Sequence, residues 1–184
     1  LLLLLMVHPF LNAQTQLFHE NFEMPSGADS VISTGTAPNY DWSLTQSLAF
    51  SGQYSDSSVV VQNDTSQLVT IPISTIGMNY VELSFAHICK VEWADAAELY
   101  VSVDTGQTWT KITNSMYMGA GVFSVSDKFS STSYQQWLPS TNSATPDNTW
   151  WKQETFDISS LAANQNHVQI KFLLRDGNNN GNQS

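Results

Sequence analysis

Apolar and polar side chains alternate along several short stretches of this sequence, and that alternation restricts the fold more than any other feature. It is clearest over residues 81–89, 99–103 and 168–174. Because successive side chains of a β-strand point to opposite faces, a period of two predicts strands with one buried face. Shorter stretches of the same character lie at 17–22, 59–61, 68–71, 109–112 and 151–156.

Turn-forming residues separate these stretches, and no long helical periodicity is visible. Clusters of Gly, Pro, Ser, Asn or Asp occur at 25–27, 51–52, 63–64, 105–106 and 176–178. Many short strands punctuated in this way are typical of an antiparallel sandwich and not of a parallel α/β sheet. Residues 159–163 are expected to form a single helical turn. The sequence therefore predicts an all-β fold of two antiparallel sheets.

The stretch from 113 to 150 differs from the rest of the chain. It is rich in Ser, Thr, Asn and Gly, with aromatic residues such as Tyr117, Phe123 and Phe129 at intervals. A connection of this length usually has a function or short elements of its own. We expect it to pack over one sheet and to be held there by its aromatic side chains.

Residues 1–13 have the character of a secretory signal peptide. An apolar run occupies residues 1–7, and small Ala13 stands where a signal peptidase would cleave. A short core helix is the alternative interpretation. The run is shorter than the roughly 20 apolar residues of a transmembrane helix, so no membrane-spanning segment is expected. On this interpretation the chain is secreted or displayed at the cell surface, and its single domain comprises residues 14–184.

Both ends of the chain are expected to be incomplete. The signal peptide lacks an initiator Met and basic residues, and residues 178–184 have the composition of a loop. A sandwich that ended there would be missing its last strand and would expose a sheet edge.

The charge balance limits the partners that the protein can bind. The chain has 16 acidic residues against six basic ones, and its formal net charge is −10. The basic residues are scattered along the sequence at Lys90, Lys111, Lys128, Lys152, Lys171 and Arg175. Because DNA and RNA are bound by clustered cations that displace counterions, no nucleic acid is expected as a partner. Cys89 is the only cysteine, which rules out an internal disulfide.

The sharpest local motif is Ser-Val-Asp-Thr-Gly-Gln-Thr-Trp at 102–109, which resembles an Asp-box. Asp104 is expected to accept hydrogen bonds from turn amides, and Gly106 is suited to a positive φ. Ser102 and Trp109 would complete a stabilised β-hairpin. The alternative, a blade of a sialidase propeller, requires several copies of the motif, and the sequence has one.

The order of several motifs resembles a known family. Glu-Asn-Phe-Glu at 20–23 opens the domain, Ser-Gly-Gln-Tyr-Ser follows at 51–55, and Leu-Ser-Phe-Ala-His at 83–87 precedes the hairpin and the segment 150–159. In this order they resemble MAM-like jelly-roll modules, and more closely the jelly-roll modules of exported Bacteroidetes surface proteins. Accessory domains of secreted metallopeptidases of the immune-inhibitor type are also similar. The resemblance covers residues 17–184 and implies a concanavalin-like jelly-roll sandwich.

The resemblance also implies a structural calcium ion. Glu23 and the backbone at Ser51 and Gly52 match two of the family's ligand positions, whereas the last acidic ligand would lie in the missing strand. Calcium requires six to eight oxygen ligands. The alternative is that Glu23 caps a turn or lies in solvent.

A ligand surface is expected where aromatic and acidic residues accumulate. The candidate residues are Trp93, Asp95, Tyr134, Trp137, Trp150 and Trp151. Sugars stack on exposed aromatic rings, while carboxylates and amides bind their hydroxyl groups. The alternative is that these aromatic residues anchor the long connection onto the sheet.

No catalytic motif was found. The sequence lacks His-Glu-x-x-His, Gly-x-Ser-x-Gly and a phosphate-binding Gly-Lys-Ser/Thr loop. His87 lies on the apolar face of its stretch with Cys89, and it is expected to be a buried histidine that donates to a carbonyl; a metal-binding pair is the alternative.

The expected function is that of a non-catalytic extracellular module for binding or adhesion, or for support of neighbouring domains. Its partner would be a glycan or an extracellular protein. A carbohydrate-binding module of a secreted hydrolase or peptidase, and a purely structural spacer, are the alternatives.

Overall fold

The computed structural model describes residues 15–23, 31–35, 41–60, 64–92, 94–123, 126–138 and 143–177. Its strands are β1 (Val31–Gly35), β2 (Ser43–Thr45), β3 (Ser55–Ser57), β4 (Thr65–Thr70), β5 (Glu82–His87), β6 (Ala96–Ser102), β7 (Thr110–Lys111), β8 (Lys152–Asp157) and β9 (Gln169–Arg175). One helical turn, α1 (Ser159–Ala162), and 3₁₀ turns at Asn114–Met116, Gln135–Trp137 and Asn148–Trp150 complete this part of the chain. All of these strands pair antiparallel, which confirms the all-β fold.

The largest sheet has five strands in the order β1-β4-β9-β6-β7. In its centre Leu99 of β6 stands opposite Phe172 of β9, and Val101 stands opposite Ile170. Directly opposed side chains of an antiparallel pair lie on the same face. The alternation that the sequence shows in both strands therefore produces one continuous apolar face.

Strands β5 and β8 form a separate two-stranded sheet over that apolar face. Leu83 of β5 stands opposite Phe156 of β8, and Phe85 lies two pairs further along, on the same face. The ring of Phe85 meets the ring of Phe172 edge-on, with the ring centroids 5.0 Å apart. This contact places the hydrophobic core between β5–β8 and the five-stranded sheet. Strands β2 and β3 form a third, two-stranded sheet.

The long connection between β7 and β8 packs onto this core, as the sequence predicted. Phe123, Phe129, Trp137 and Trp150 are buried in it. Phe129 also forms an isolated antiparallel bridge with Ala97 of β6. The aromatic residues of the connection are thus part of the core itself.

Three strand predictions were wrong: those for residues 17–22, for residues 59–60 and for Val103. Residues 17–22 form no strand, because Glu20 and Asn21 accept hydrogen bonds from amides two residues further on and Phe22 has a φ of 60°. Such local bonds compete with pairing to a neighbouring strand. Val103 lies beyond the end of β6 and is 40% exposed.

Other expectations agree with the structure or lie outside its described part. Residues 159–162 form the predicted helical turn. Strands β1, β2 and β3 were not predicted, and β2 and β3 have only three residues each, which is too few to establish a period. Residues 1–13 and 178–184 lie outside the described residues. Within the described part of the chain, no helix has the length and apolarity needed to cross a bilayer.

Candidate functional site

An open groove lies between strands β2 and β3 and the residue that precedes β8. Its volume is about 260 Å³. Trp151, Leu48 and Ile88 line it with apolar residues. The other lining residues are polar: Thr45, Ser47, Ser55, Asp56 and Ser57. An aromatic ring beside polar residues is the combination that sugar binding uses.

Short polar turns hold Trp151 at the groove. Asp147 caps the 3₁₀ turn Asn148–Trp150 by accepting a hydrogen bond from the amide of Thr149, 2.8 Å away. The side-chain oxygen of Asn148 accepts from the Ala49 amide at 3.1 Å and from Nε1 of Trp151 at 3.4 Å. Asn148 therefore connects the segment after β2 to the indole ring.

Phe50 extends the aromatic surface next to the groove. Its ring lies edge-on to Trp151, with the ring centroids 6.0 Å apart, and the residue is 50% exposed. Trp151 itself is half-buried. The two rings form an aromatic corner that solvent reaches.

The other predicted ligand aromatics do not join this corner. Trp137 and Trp150 are only 0% and 3% exposed, and Nε1 of Trp137 donates to the carbonyl of Trp150 at 3.2 Å. A sugar cannot stack on a ring whose faces are buried, so these two rings are corrected to core residues. Tyr134 is half-buried and bonded to Glu154. Trp93 lies outside the described residues.

Asp95 is a loop-closing residue and not a surface ligand. It is buried, and its two carboxylate oxygens accept hydrogen bonds from the amides of Glu92 and Gly177, both at 3.2 Å. Lys128 donates to the carbonyls of Ala94 and Asp95 at 3.1 and 2.9 Å. These bonds join the β5–β6 connection to the end of β9, which leaves the predicted ligand role of Asp95 without geometric support.

A second polar centre, which sequence reasoning missed, surrounds the carboxylate of Glu154 on β8. Glu154 is 0% exposed. Its Oε1 is 3.1 Å from Nε2 of His87 and 2.8 Å from the hydroxyl of Tyr134, and its Oε2 is 2.5 Å from the hydroxyl of Tyr117. The Tyr117 hydroxyl also accepts a hydrogen bond from the amide of Gly121 at 2.8 Å. A buried carboxylate costs several kcal/mol unless donors of this kind surround it.

The pKa values of this centre follow from burial and hydrogen bonding. Burial lowers the pKa of His87, although the neighbouring Glu154 partly opposes the shift. Burial alone would raise the pKa of Glu154, but hydrogen bonds from His87, Tyr117 and Tyr134 outweigh it and hold that pKa below its usual value. Burial raises the pKa of Tyr134 to about 12 and that of Tyr117 further still. The centre at neutral pH is therefore a carboxylate with neutral donors.

The sequence held a signal for this centre. Glu154 shares the inward face of β8 with Phe156, since the two residues are separated by one position. An acidic residue at an inward position predicts a buried partner. His87 was expected to donate to a carbonyl; its partner is the Glu154 carboxylate instead, and Cys89 is buried in the core.

A third polar centre lies on the outer face of the five-stranded sheet. Glu98 is buried, and its carboxylate binds Lys111 at 2.9 Å, Arg175 at 2.9 and 3.2 Å and the hydroxyl of Tyr100 at 2.9 Å. Burial would raise the pKa of Glu98, but Arg175 and Lys111 lower it to about 2. Two of the six basic residues, although far apart in sequence, therefore meet at one carboxylate.

The motif at 102–109 forms the turn between β6 and β7. Asp104 accepts hydrogen bonds from the Thr108 amide at 2.9 Å and the Thr108 hydroxyl at 2.6 Å. The Ser102 hydroxyl donates to Asp104 at 2.7 Å, and Gly106 has a φ of 83°. Trp109 packs against Lys171, whose Nζ lies 4.2 Å from the ring centroid. The side chains of Ser102, Asp104 and Thr108 are therefore hydrogen-bonded within the turn.

Glu23 lies against the turn at Ser51 and Gly52. Its Oε1 accepts hydrogen bonds from the amides of Gln53 and Tyr54 at 2.8 and 2.9 Å. A side chain at position 52 would overlap the Glu23 carboxylate, and the φ there is 69°, so the turn requires glycine. In this arrangement the Glu23 carboxylate caps the turn, which is the alternative to the calcium ligand that the family resemblance implies. Among the described residues, no three His, Cys, Asp or Glu side chains form a potential metal site.

Comparison of the chain with known protein families, with curated proteins and with solved structures found no match.

Proposed function

We propose that this chain is a non-catalytic extracellular binding module with a jelly-roll sandwich fold, and that it contacts a glycan in the Trp151 groove. One observation carries the proposal: a half-buried indole ring lines an open groove of about 260 Å³ together with apolar Leu48 and Ile88 and with residues that carry hydroxyl groups. The ring offers an apolar face for the C–H face of a sugar, and the polar groups offer partners for its hydroxyls.

The jelly-roll assignment rests on three features. The β5–β8 sheet covers the apolar face of the five-stranded sheet, and all pairings in the described part of the chain are antiparallel. The motif order also resembles MAM-like modules of exported surface proteins. The apolar segment at 1–7 followed by Ala13 supports export.

The two buried carboxylates support a role without catalysis. Glu154 and Glu98 each have several hydrogen-bond donors on their oxygens and are almost fully buried. A general acid or base needs access to a substrate proton. Both carboxylates instead join segments that are distant in the sequence, which is what a structural residue does.

The test is glycan binding by the 184-residue chain, measured on a glycan array and then by affinity electrophoresis. Trp151→Ala should lower the affinity for each bound glycan by about tenfold or more, since stacking on one ring is worth about 1–2 kcal/mol. Trp109→Ala is the matched control, because Trp109 is also half-buried but lies at the β6–β7 turn. No glycan binding by the folded wild type, or equal losses in both variants, would contradict the proposal and favour a structural spacer.

A further inference from the structure

We propose that the outer edge of β5 binds an extended, basic peptide, which adds a strand to the β5–β8 sheet. None of the residues that line the Trp151 groove belongs to β5, so the proposal does not depend on glycan binding. It rests on the direction of the backbone groups of β5, on the exposure of the strand and on charge.

The strand register shows which backbone groups of β5 point away from β8. One step beyond the last pair of that register, the amide of Ile158 donates to the carbonyl of Val81 at 3.0 Å, so these two residues form a hydrogen-bonded pair. Such pairs alternate along antiparallel strands with pairs that exchange no bonds. The odd-numbered residues of β5 therefore bond to β8. The N–H and C=O groups of three residues point to the opposite side: Glu82, Ser84 and Ala86.

The bonds of the neighbouring strand agree with this alternation. Thr155 of β8 stands opposite Ser84, and its carbonyl accepts a hydrogen bond from the amide of Met118 at 2.8 Å. Met118 belongs to the long connection between β7 and β8, so the carbonyl of Thr155 points away from β5. The backbone groups of Ser84 point away from β8 in the same way, because the two residues form a pair without mutual bonds.

The outer edge of β5 is open in the part of the chain that the structure describes. No residue there hydrogen-bonds to the six outward groups of Glu82, Ser84 and Ala86. Glu82 and Ser84 are exposed, and Ala86 is half-buried. An unpaired edge of this kind presents donors and acceptors at the spacing that a further strand requires.

The side chains of β5 favour a partner in which apolar and polar residues alternate. A strand added antiparallel places two of its side chains directly opposite Leu83 and Phe85, on the face that packs against the core. Leu83 and Phe85 are only half-buried, so apolar side chains opposite them would cover carbon surface that β8 leaves accessible. The other side chains of the partner would lie on the outer face with exposed Glu82 and Ser84, where polar residues are suited.

Charge favours a basic peptide over an acidic one and over a second copy of the chain. The formal net charge is −10, so two copies repel each other. Glu82 and Asp157 stand opposite each other at one end of the β5–β8 pair. The Glu82 carboxylate accepts from the hydroxyl of Tyr80 at 3.1 Å, but this neutral donor leaves its negative charge in place. A Lys or Arg side chain opposite Glu82 would offset that charge.

The probe is the peptide acetyl-Thr-Val-Thr-Val-Lys-amide, titrated into the ¹⁵N-labelled 184-residue chain and followed by NMR. In antiparallel register its first Thr stands opposite Ala86, its two Val residues opposite Phe85 and Leu83, and its Lys opposite Glu82. We expect a saturable shift and slower hydrogen exchange at the amides of Glu82, Ser84 and Ala86. A peptide with Glu in place of Lys should bind about fivefold more weakly. Absence of a saturable shift at these amides would overturn the proposal.

Two N-methylated peptides are the matched controls for backbone pairing. The N–H of the central Thr faces Ser84, whereas the N–H of each Val points away from β5. A methyl group on the central Thr nitrogen should weaken binding by at least about tenfold, since it removes a hydrogen bond and blocks the close approach of the strands. A methyl group on the first Val nitrogen should weaken it by less than about threefold. Equal losses would mean that the backbone of β5 is not the binding surface.

Ser84→Pro tests the same contact from the side of the protein. Proline removes the Ser84 N–H, which makes no bond to β8, and an edge strand tolerates proline where its N–H faces solvent. The variant should fold and lose peptide binding. Glu82→Lys is a second variant at an exposed position, and it should reverse the preference so that the Glu peptide binds more tightly. Full binding by Ser84→Pro, or an unchanged preference in Glu82→Lys, would contradict the proposal.

Two further outcomes would assign the edge to a different occupant. Amides of Glu82, Ser84 and Ala86 that are protected from exchange in a monomeric chain without peptide would mean that another segment of the chain covers the edge. Protection that grows with protein concentration, together with a dimer in sedimentation analysis, would mean that a second copy does. Either result would overturn the peptide proposal, and neither bears on glycan binding in the Trp151 groove.

Discussion

Glu154 and His87 lie on paired strands, and Oε1 of the glutamate is 3.1 Å from Nε2 of the histidine. The same carboxylate accepts hydrogen bonds from Tyr117 and Tyr134, which belong to the long connection between β7 and β8. One buried charge therefore joins β5, β8 and that connection. Aromatic rings enclose the histidine, since Phe129 and Trp137 lie 4.6 and 5.0 Å from it between ring centroids.

We expect Glu154→Gln to lower the free energy of unfolding by about 3 kcal/mol. The amide removes the charge that the three donors stabilise, and its own NH₂ group would face one of these donors in a buried site. Urea denaturation measures the change. Gln153→Ala, an exposed position on the same strand, should change the stability by less than about 0.5 kcal/mol. Similar losses in the two variants would show that Glu154 has no special structural role.

Tyr117→Phe should destabilise the protein more than Tyr134→Phe does. Both hydroxyls donate to Glu154, but the Tyr117 hydroxyl also accepts from the amide of Gly121. Loss of the Tyr117 hydroxyl leaves two groups without this hydrogen-bond partner. We therefore expect Tyr117→Phe to lower the free energy of unfolding by about 2 kcal/mol, and Tyr134→Phe to lower it by about 1 kcal/mol. Because the two tyrosines share one carboxylate, the double variant should deviate from additivity by at least about 0.5 kcal/mol. Strict additivity would mean that the two bonds are independent.

The stability should fall as the solution is acidified below about pH 6.5. Burial lowers the pKa of His87 from 6.5, so the unfolded chain takes up a proton before the folded chain does and stability is lost through this range. Below 4.5 a second loss follows, because the pKa values of Glu154 and Glu98 are both held below that value in the fold. Thermal unfolding at a series of pH values measures both losses.

His87→Gln separates the two parts of this pH dependence. It should flatten the curve between about pH 6.5 and 4.5 and leave the steeper loss below 4.5 in place. If the thermal midpoint of the wild type rises as the pH is lowered toward 4.5, the predicted direction of the pH dependence is wrong. Such a rise would mean that His87 is protonated in the folded state and forms an ion pair with Glu154.

The regular part of the fold could be predicted from the sequence, because its signal is local. The period of two in β5, β6 and β9 identifies Leu83, Val101 and Ile170 as inward residues, and the latter two are buried while Leu83 packs against the core. The same period places Glu154 inward beside Phe156. The period does not show which donors hydrogen-bond to the Glu154 carboxylate. Tyr117 and Tyr134 belong to the long connection between β7 and β8, where side chains do not alternate regularly.

The groove could be predicted only in part. Trp151 was among the expected ligand residues, but adjacent Trp150 was as well, and only the structure distinguishes the buried ring from the accessible one. Asp56 lies on a strand of three residues, which is too short for any periodic signal. The groove depends on how β2 and β3 lie against Trp151. Contacts between segments that are so far apart cannot be predicted from a single sequence.

Glu23→Gln should lower the free energy of unfolding by about 1 kcal/mol, because a neutral oxygen accepts less strongly from the amides of Gln53 and Tyr54 than the carboxylate does. Calcium should leave the thermal midpoint of the wild type unchanged, since those two N–H groups occupy the side of Oε1 that faces the turn. The measurement is a thermal melt with excess calcium and one with a chelator, for the wild type and for the variant. A midpoint that calcium raises in the wild type and not in Glu23→Gln would show that Glu23 binds the ion and that the amide contacts give way to it.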